Sequence, residues 1–230
     1  MKYKKALTFS YDDGTIQDRR LIEILNRYGL KATFNLNSQL LDQYKEFGYR
    51  DKVIKHQRIG MEEVSRLYKG HEVAAHTLEH KFLPDCTKEE IIHQVEEDRR
   101  CLSKLVGYEV VGLAYPGGGQ NHNDNVAKII SNNTGICYAR TIKDTYSFEK
   151  QENLYQFNPS VHNVMELDKL FELGEKFLDE TCSYPQIFFV WGHSYEFDIH
   201  DTWEAFESFC KMMSGHKDIF YGTNREVLLP

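Results

Sequence analysis

Two adjacent carboxylates, Asp12 and Asp13, stand immediately before Gly14, and two histidines, His76 and His80, stand four residues apart. Two imidazoles and one carboxylate are ligands a divalent ion accepts. A set of three leaves coordination positions for water and substrate, which separates a catalytic centre from a structural one. Each feature alone has an ordinary explanation. With 10 histidines in 230 residues, HxxxH pairs arise by chance, and Asp-Gly is a frequent turn. Together they divide the labour. One aspartate and the two histidines would hold the ion, and the other aspartate would act as a base on its water. His193, placed after a long apolar run, would protonate a leaving group. The four-residue spacing suits one helical turn, which would put His76 and His80 on the same face.

The elements that must position these residues alternate strand and helix, the pattern of an α/β fold with a mainly parallel sheet. Lys5–Tyr11 is a β-prone run ending at the carboxylates, Gln17–Tyr28 is helical, and 31–36 is a second strand. Met61–Lys69 is a helix and Glu72–Ala75 a strand leading into His76. Thr87 and Glu90 have capping-box spacing at the head of a helix that Gly107 ends. Val110–Tyr115 is a strand breaking on Pro116, Asn125–Asn132 a helix, Gly135–Thr141 a strand and Asn153–Phe157 extended. Glu166–Thr181 is a long amphipathic helix, and 186–191 is almost wholly apolar, as expected of a strand covered on both faces. Trp203–Met213 is the last substantial helix, before a strand near Asp218–Tyr221. The polar clusters fall at strand C-terminal ends, where barrels of this class carry their working residues.

Hydrophobic residues make up 41% and charged residues 27% of the chain, ordinary globular usage. The net charge is -7 with Lys and Arg scattered, which points away from nucleic acid or an anionic membrane as partner. No apolar run approaches the roughly 18 residues a membrane span needs, and the start of the chain lacks a signal-peptide core. The sequence therefore reads as cytoplasmic. The cysteines, Cys86, Cys101, Cys137, Cys182 and Cys210, read as reduced, mostly buried thiols.

The constellation resembles the polysaccharide deacetylases, carbohydrate esterase family four, also called the NodB-homology family. That family's TFDDG motif is similar to Thr8-Phe9-Ser10-Tyr11-Asp12-Asp13-Gly14, which carries two extra residues. Its H-[ST]-x-x-H motif is matched by His76-Thr77-Leu78-Glu79-His80, and its hydrophobic strand ending in His by Phe188-Phe189-Val190-Trp191-Gly192-His193. The resemblance implies a distorted (β/α)7 barrel, a single catalytic domain over residues 1–230, and hydrolysis of an N-acetyl or O-acetyl group on a sugar. By motif position Asp13, His76 and His80 would be the ligands, Asp12 the general base and His193 the general acid. One divalent ion is implied, zinc first, with cobalt, nickel, iron or manganese compatible with the same donors.

Two motifs depart. R-x-P-[YF]-G falls on Ala114-Tyr115-Pro116-Gly117-Gly118, so Ala114 stands where the family has the arginine that orients the catalytic aspartate. Arg140, at the end of the next strand, is the candidate to reach Asp12 instead. The backbone N–H of Gly117 aligns with the family's oxyanion donor, and Tyr115 and Trp191 are candidate substrate-side residues. The aspartate that supports the catalytic histidine has no clear counterpart, and Glu196 and Asp198 are both near enough in sequence to serve. His162 is a candidate pocket residue, while His56, His71, His93, His122, His200 and His216 read as surface or loop residues. Expected substrates are small molecules or oligosaccharides. The alternatives are hydrolysis of another linear or cyclic amide, or a saccharide-binding protein that keeps the metal without turnover.

Overall fold

Every residue of β1 (Lys5–Asp12) is buried, as a central strand covered on both faces requires. The computed structural model describes residues 3–179 and 184–229. After β1 come α1 (Asp18–Arg27) and β2 (Ala32–Leu36), then an antiparallel hairpin, β3 (Glu46–Tyr49) and β4 (Lys52–Lys55), outside the main sheet. α2 (Val64–Leu67) precedes β5 (Glu72–Ala75), α3 (Lys88–Val106) precedes β6 (Gly112–Ala114), and α4 (Asp124–Asn133) precedes β7 (Tyr138–Arg140). β8 (Val161–His162), α5 (Leu167–Asp179), β9 (Gln186–His193), α6 (Glu196–His200), α7 (Trp203–Met213), β10 (Ile219–Tyr221) and α8 (Asn224–Leu228) complete the chain.

The main sheet runs β7-β6-β5-β2-β1-β9-β8, with β10 alongside the start of β1. Its pairings are all parallel. It curls into a distorted (β/α)7 barrel. The edge strands β7 and β8 do not pair. The connecting chain crosses the gap, with the Phe157 N–H donating to Ala139 and the Ser160 N–H to Phe189. Register then fixes the site: Asp12 lies opposite Asn35 on β2 and His193 on β9, and Ala114 lies opposite Arg140. Tyr11 and Phe9 meet Phe206 of α7 edge-on, and Phe197 packs 4.7 Å from the same ring. Aromatic burial of this kind clamps the helical layer on the strands that carry the polar ends.

Thr87 and Glu90 form the reciprocal capping box at the head of α3, and Gly107 ends that helix in the left-handed conformation. Three expectations need correction. Asn153–Phe157 is not extended: Leu154–Gln156 forms a short 3-10 turn because the Asn153 side chain accepts the Tyr155 N–H. Met61–Lys69 splits into a 3-10 turn at Met61–Glu63 and the single turn of α2. The cysteines are not mostly buried, since Cys101 and Cys137 are exposed, Cys86 is half-buried and Cys210 is buried. Cys182 and the expected last residues of the Glu166–Thr181 helix lie outside the described residues. Among the described residues no helix is long and apolar enough to cross a membrane.

Candidate metal centre and active site

Asp12 ends β1 on the sheet, and the chain then turns through Asp13 at φ 82° and Gly14 at φ 61°. A Cβ at Gly14 would sit 2.4 Å from Leu36 Cδ2, so this turn needs glycine for space as well as for conformation. The turn sends the two carboxylates to different partners. Asp12 accepts a 2.7 Å bond from Asn35 Nδ2, and both its oxygens accept from Arg140 Nη2. Arg140 is wholly buried, donates from Nη1 to the Thr141 carbonyl at 3.0 Å, and lies 4.8 Å over the Trp191 ring. Burial pushes the Asp12 carboxyl up, but the charges of Arg140, His76 and His193 outweigh it and hold the group below the usual carboxylate range.

Asp13 faces the other way. Its Oδ2 is 3.2 Å from His56 Nε2, its Oδ1 is 2.9 Å from Arg58 Nη1, and Arg58 Nη1 donates to its carbonyl. Against the upward push of burial, the His56 bond and the Arg58 charge hold this carboxyl well below its ordinary value. His80 Nε2 lies 3.8 Å from Asp13 Oδ1.

His76 and His80 do not share a helical turn. They flank a loop in which Thr77 has φ 64° and His80 φ 58°. Groups from elsewhere hold that loop: Asn37 Nδ2 donates to the carbonyls of His76 and Thr77, the Leu78 N–H bonds to the Gln94 carbonyl, and buried Asp98 accepts the N–H groups of His76 and Ser38. The imidazoles still converge, with ring centroids 4.9 Å apart. Burial lowers His76 to about 4, so its ring is neutral. Nδ1–H donates to the Ala114 carbonyl at 2.8 Å, which fixes the ring and leaves the lone pair on Nε2 free for a metal.

His76 Nε2 is buried without a hydrogen-bond partner, which costs about 1–3 kcal/mol if left unsatisfied, while Asp13 Oδ1 is met by the charge of Arg58 at 2.9 Å. The donor atoms of Asp13, His76 and His80 lie within 4.8 Å of one another. An unpartnered buried imidazole nitrogen, with a carboxylate oxygen and a second imidazole beside it, fits a divalent ion.

His193 ends β9. Its Nδ1 is 3.3 Å from Glu196 Oε1, and its backbone N–H donates to Glu196 Oε2 at 3.0 Å. His162 Nδ1 accepts the N–H groups of Val164 and Met165, so its proton sits on Nε2, 3.2 Å from Glu196 Oε2. Burial alone would lower His193, but the Glu196 charge raises it to about 9. Of the two acids left open by the sequence, Glu196 reaches His193, while Asp198 accepts from Trp203 Nε1 and Gln17 Nε2.

Asp12, Asp13, His76, His80, His193 and Gly117 all line one cavity of about 240 Å³, with Tyr115, Trp191 and Tyr195 among its walls. Gly117 has φ 85°, and its N–H donates to nothing among the described residues. The Tyr115 hydroxyl is committed to the Tyr155 carbonyl and the Trp191 indole to Asp144, so the polar groups of these two wall residues are already engaged within the protein. His56 is half-buried on Asp13 rather than a surface residue. His71 is also buried, with Nδ1 accepting the Ala32 N–H, and His122 is half-buried with its ring stacked on Tyr115. Neither the role of His56 nor that of Arg58 had a signal in the sequence, because both come from the irregular stretch after β4.

Solved structures share this architecture. The allantoinase PuuE matches with a TM-score of 0.75 at 10% identity, covering 99% of this chain and 90% of that one. A family 4 carbohydrate esterase from Streptomyces lividans, solved with acetate, matches at TM-score 0.58 and 15% identity over 96% and 91%. The Streptococcus pyogenes deacetylase PplD, also solved with acetate, matches at TM-score 0.52 and 20% identity, covering 65% of this chain. The match spans 61% of the Streptococcus pyogenes protein, less than two thirds of its length. No curated protein matches the sequence. The likenesses show the fold, a (β/α)7 barrel. The polysaccharide deacetylase profile matches residues 2–136, and the chain belongs to the polysaccharide deacetylase family.

Proposed function

We propose that residues 1–230 form one catalytic domain that hydrolyses a non-peptide amide with the help of a divalent ion, the substrate being an N-acetylated sugar or short oligosaccharide. One observation carries the reading. Two groups of opposite charge, Asp12 held as carboxylate and His193 held as imidazolium, line the same cavity as three converging ligand atoms. An ion held by Asp13, His76 and His80 would polarise the acyl oxygen and lower the pKa of a water to about 7. Asp12, already ionised, takes the proton from the attacking water. His193, already protonated, gives one to the amine nitrogen as the C–N bond breaks. The Gly117 N–H, on the wall of the same cavity, donates to the developing oxyanion. Arg140 and Glu196 act on the chemistry through Asp12 and His193, whose charge states they set.

The test is acetate release from N-acetylglucosamine oligomers by protein loaded with zinc, cobalt or nickel, set against chelator-treated protein. Acetate that depends on the ion supports the reading. The full-length likeness to an allantoinase favours a second reading, opening of a cyclic amide, which the same preparations test by loss of a cyclic ureide. Metal retained with neither product would leave a binding protein.

The supports of His193 make a separate prediction. In metal-free protein its ring should titrate near 9, followed by NMR, and Glu196→Gln should lower that value. Because the folded value lies above the unfolded 6.5, the stability this group contributes is full below pH 6.5 and is lost as pH rises through about 9. The alkaline limb of turnover should move down in the same variant. A limb and a titration that ignore Glu196 would remove His193 from the acid role.

A further inference from the structure

A second cavity, of about 370 Å³, opens on the other side of Asp13 and His80. It shares those two residues with the first cavity, and its remaining walls include Gln43, Lys45, His56 and Arg58. Tyr195 stands where the two spaces approach, 4.8 Å from the His56 ring and 5.1 Å from that of His193. Asp13 is the carboxylate on these walls, and it is already shared by His56, Arg58 and the ligand set.

The cations exceed what Asp13 uses. Arg58 is 8% exposed, and it engages Asp13 through Nη1 alone. Its Nε and Nη2 hydrogen-bond to nothing among the described residues. A guanidinium carries five N–H donors in a rigid fork shaped for a carboxylate or phosphate, and the nitrogens that Asp13 does not use are left to the solvent of this cavity. Lys45 has no carboxylate partner among the described residues, although its side chain lines the same space. Orienting Asp13 accounts for one nitrogen of Arg58 and for His56, but not for the free side of the fork or for the lysine. A divalent ion at the adjoining donors would add charge of the same sign.

We infer that this cavity takes an oxyanion, a carboxylate or a phosphate, carried by the same molecule whose amide lies at the ion. This rests on the hydrolase reading and narrows it: the substrate is an acidic N-acyl compound rather than a neutral glycan. The amide occupies the Asp12 and His193 side, and the anion lies across Asp13 against Arg58 and Lys45.

Two measurements separate this from the reading it rests on. Chelator-treated protein is titrated with inorganic phosphate and with acetate by calorimetry, in the wild type, Lys45→Glu and Arg58→Gln. Lys45 is exposed and leaves Asp13 untouched, so its variant remains informative if loss of Arg58 disturbs the fold. Phosphate affinity should fall about tenfold or more in Lys45→Glu, the scale of one charge-assisted hydrogen bond. Metal-loaded protein is then offered N-acetylglucosamine, its 6-phosphate and N-acetylmuramic acid. The acidic sugars should show the higher kcat/KM, the ratio to the neutral sugar should collapse in Lys45→Glu, and whichever acidic sugar leads identifies the anion. Phosphate binding indifferent to Lys45, or equal cleavage of acidic and neutral sugars, would overturn the subsite and leave deacetylation standing. Lys45-dependent phosphate binding with no hydrolysis of any of the three would support the anion site while the hydrolase reading fails.

Discussion

Asp12→Asn should bind its divalent ion at the wild-type stoichiometry and lose turnover by about 10³-fold, the middle of the range for removal of a general base. The two halves of this expectation come from the turn at Asp13 and Gly14. Asp13 leaves the strand in a left-handed conformation, so its carboxylate joins His76 and His80 while that of Asp12 stays with Asn35 and Arg140. An amide at position 12 keeps the shape and can still accept from Arg140, but it cannot take a proton from water. Metal content by plasma emission and kcat measured on the same sample decide it. A variant that loses both together would make Asp12 a ligand, and the assignment of the two aspartates would be reversed.

The parts of this site that were legible in the sequence are the parts fixed by a few consecutive residues. A β-prone run that stops at Asp12-Asp13-Gly14 says that the carboxylates diverge, whatever the rest of the fold. Thr87 and Glu90 state their capping box three residues apart. Arg140 was legible for a different reason. A strand-end arginine in a chain whose third motif lacks its arginine has few buried carboxylates to serve, and in the barrel it meets Asp12.

What the sequence concealed is set by distant groups. Four-residue spacing fits a helical turn, but it fits equally a loop in which Thr77 and His80 adopt positive φ, and Asn37, Gln94 and Asp98, which hold that loop, come from other elements. His56 and Arg58 follow a hairpin with half-exposed strands and no strong apolar period, so nothing local announced that they return to Asp13. Glu196 and Asp198 are two residues apart at the start of a short helix, and only the positions of Trp203 and Gln17 draw Asp198 away from His193. His71 looked like a loop residue after Gly70, yet the Ala32 N–H needs its Nδ1.

Arg140→Ala should leave metal binding intact, cut turnover by about 10²-fold and destabilise the fold by about 3–5 kcal/mol, the usual result of stranding one member of a buried ion pair. Asp12 would keep the Asn35 bond but lose the guanidinium that offsets its burial. In the wild type its pKa is held below the unfolded value, so the stability it contributes is present above that value and is lost as pH falls through the folded one. Without Arg140 the burial effect prevails and the pKa rises above the unfolded value. The carboxyl then protonates at higher pH, the acidic limb of the activity profile moves upward, and the variant loses stability as pH rises toward neutrality. Arg140→Lys separates charge from geometry. An ammonium restores the sign but not the planar guanidinium that meets both Asp12 oxygens from Nη2 and the Thr141 carbonyl from Nη1, so the acidic limb should return most of the way while kcat recovers only in part. Asp12→Asn combined with Arg140→Ala should cost less stability than the two single changes added together, because the buried charges are removed as a pair. Full additivity, or an acidic limb that stays in place when Arg140 is removed, would mean that Asp12 owes its ionised state to the neighbouring ion and histidines, and that Arg140 holds the strand end rather than the base.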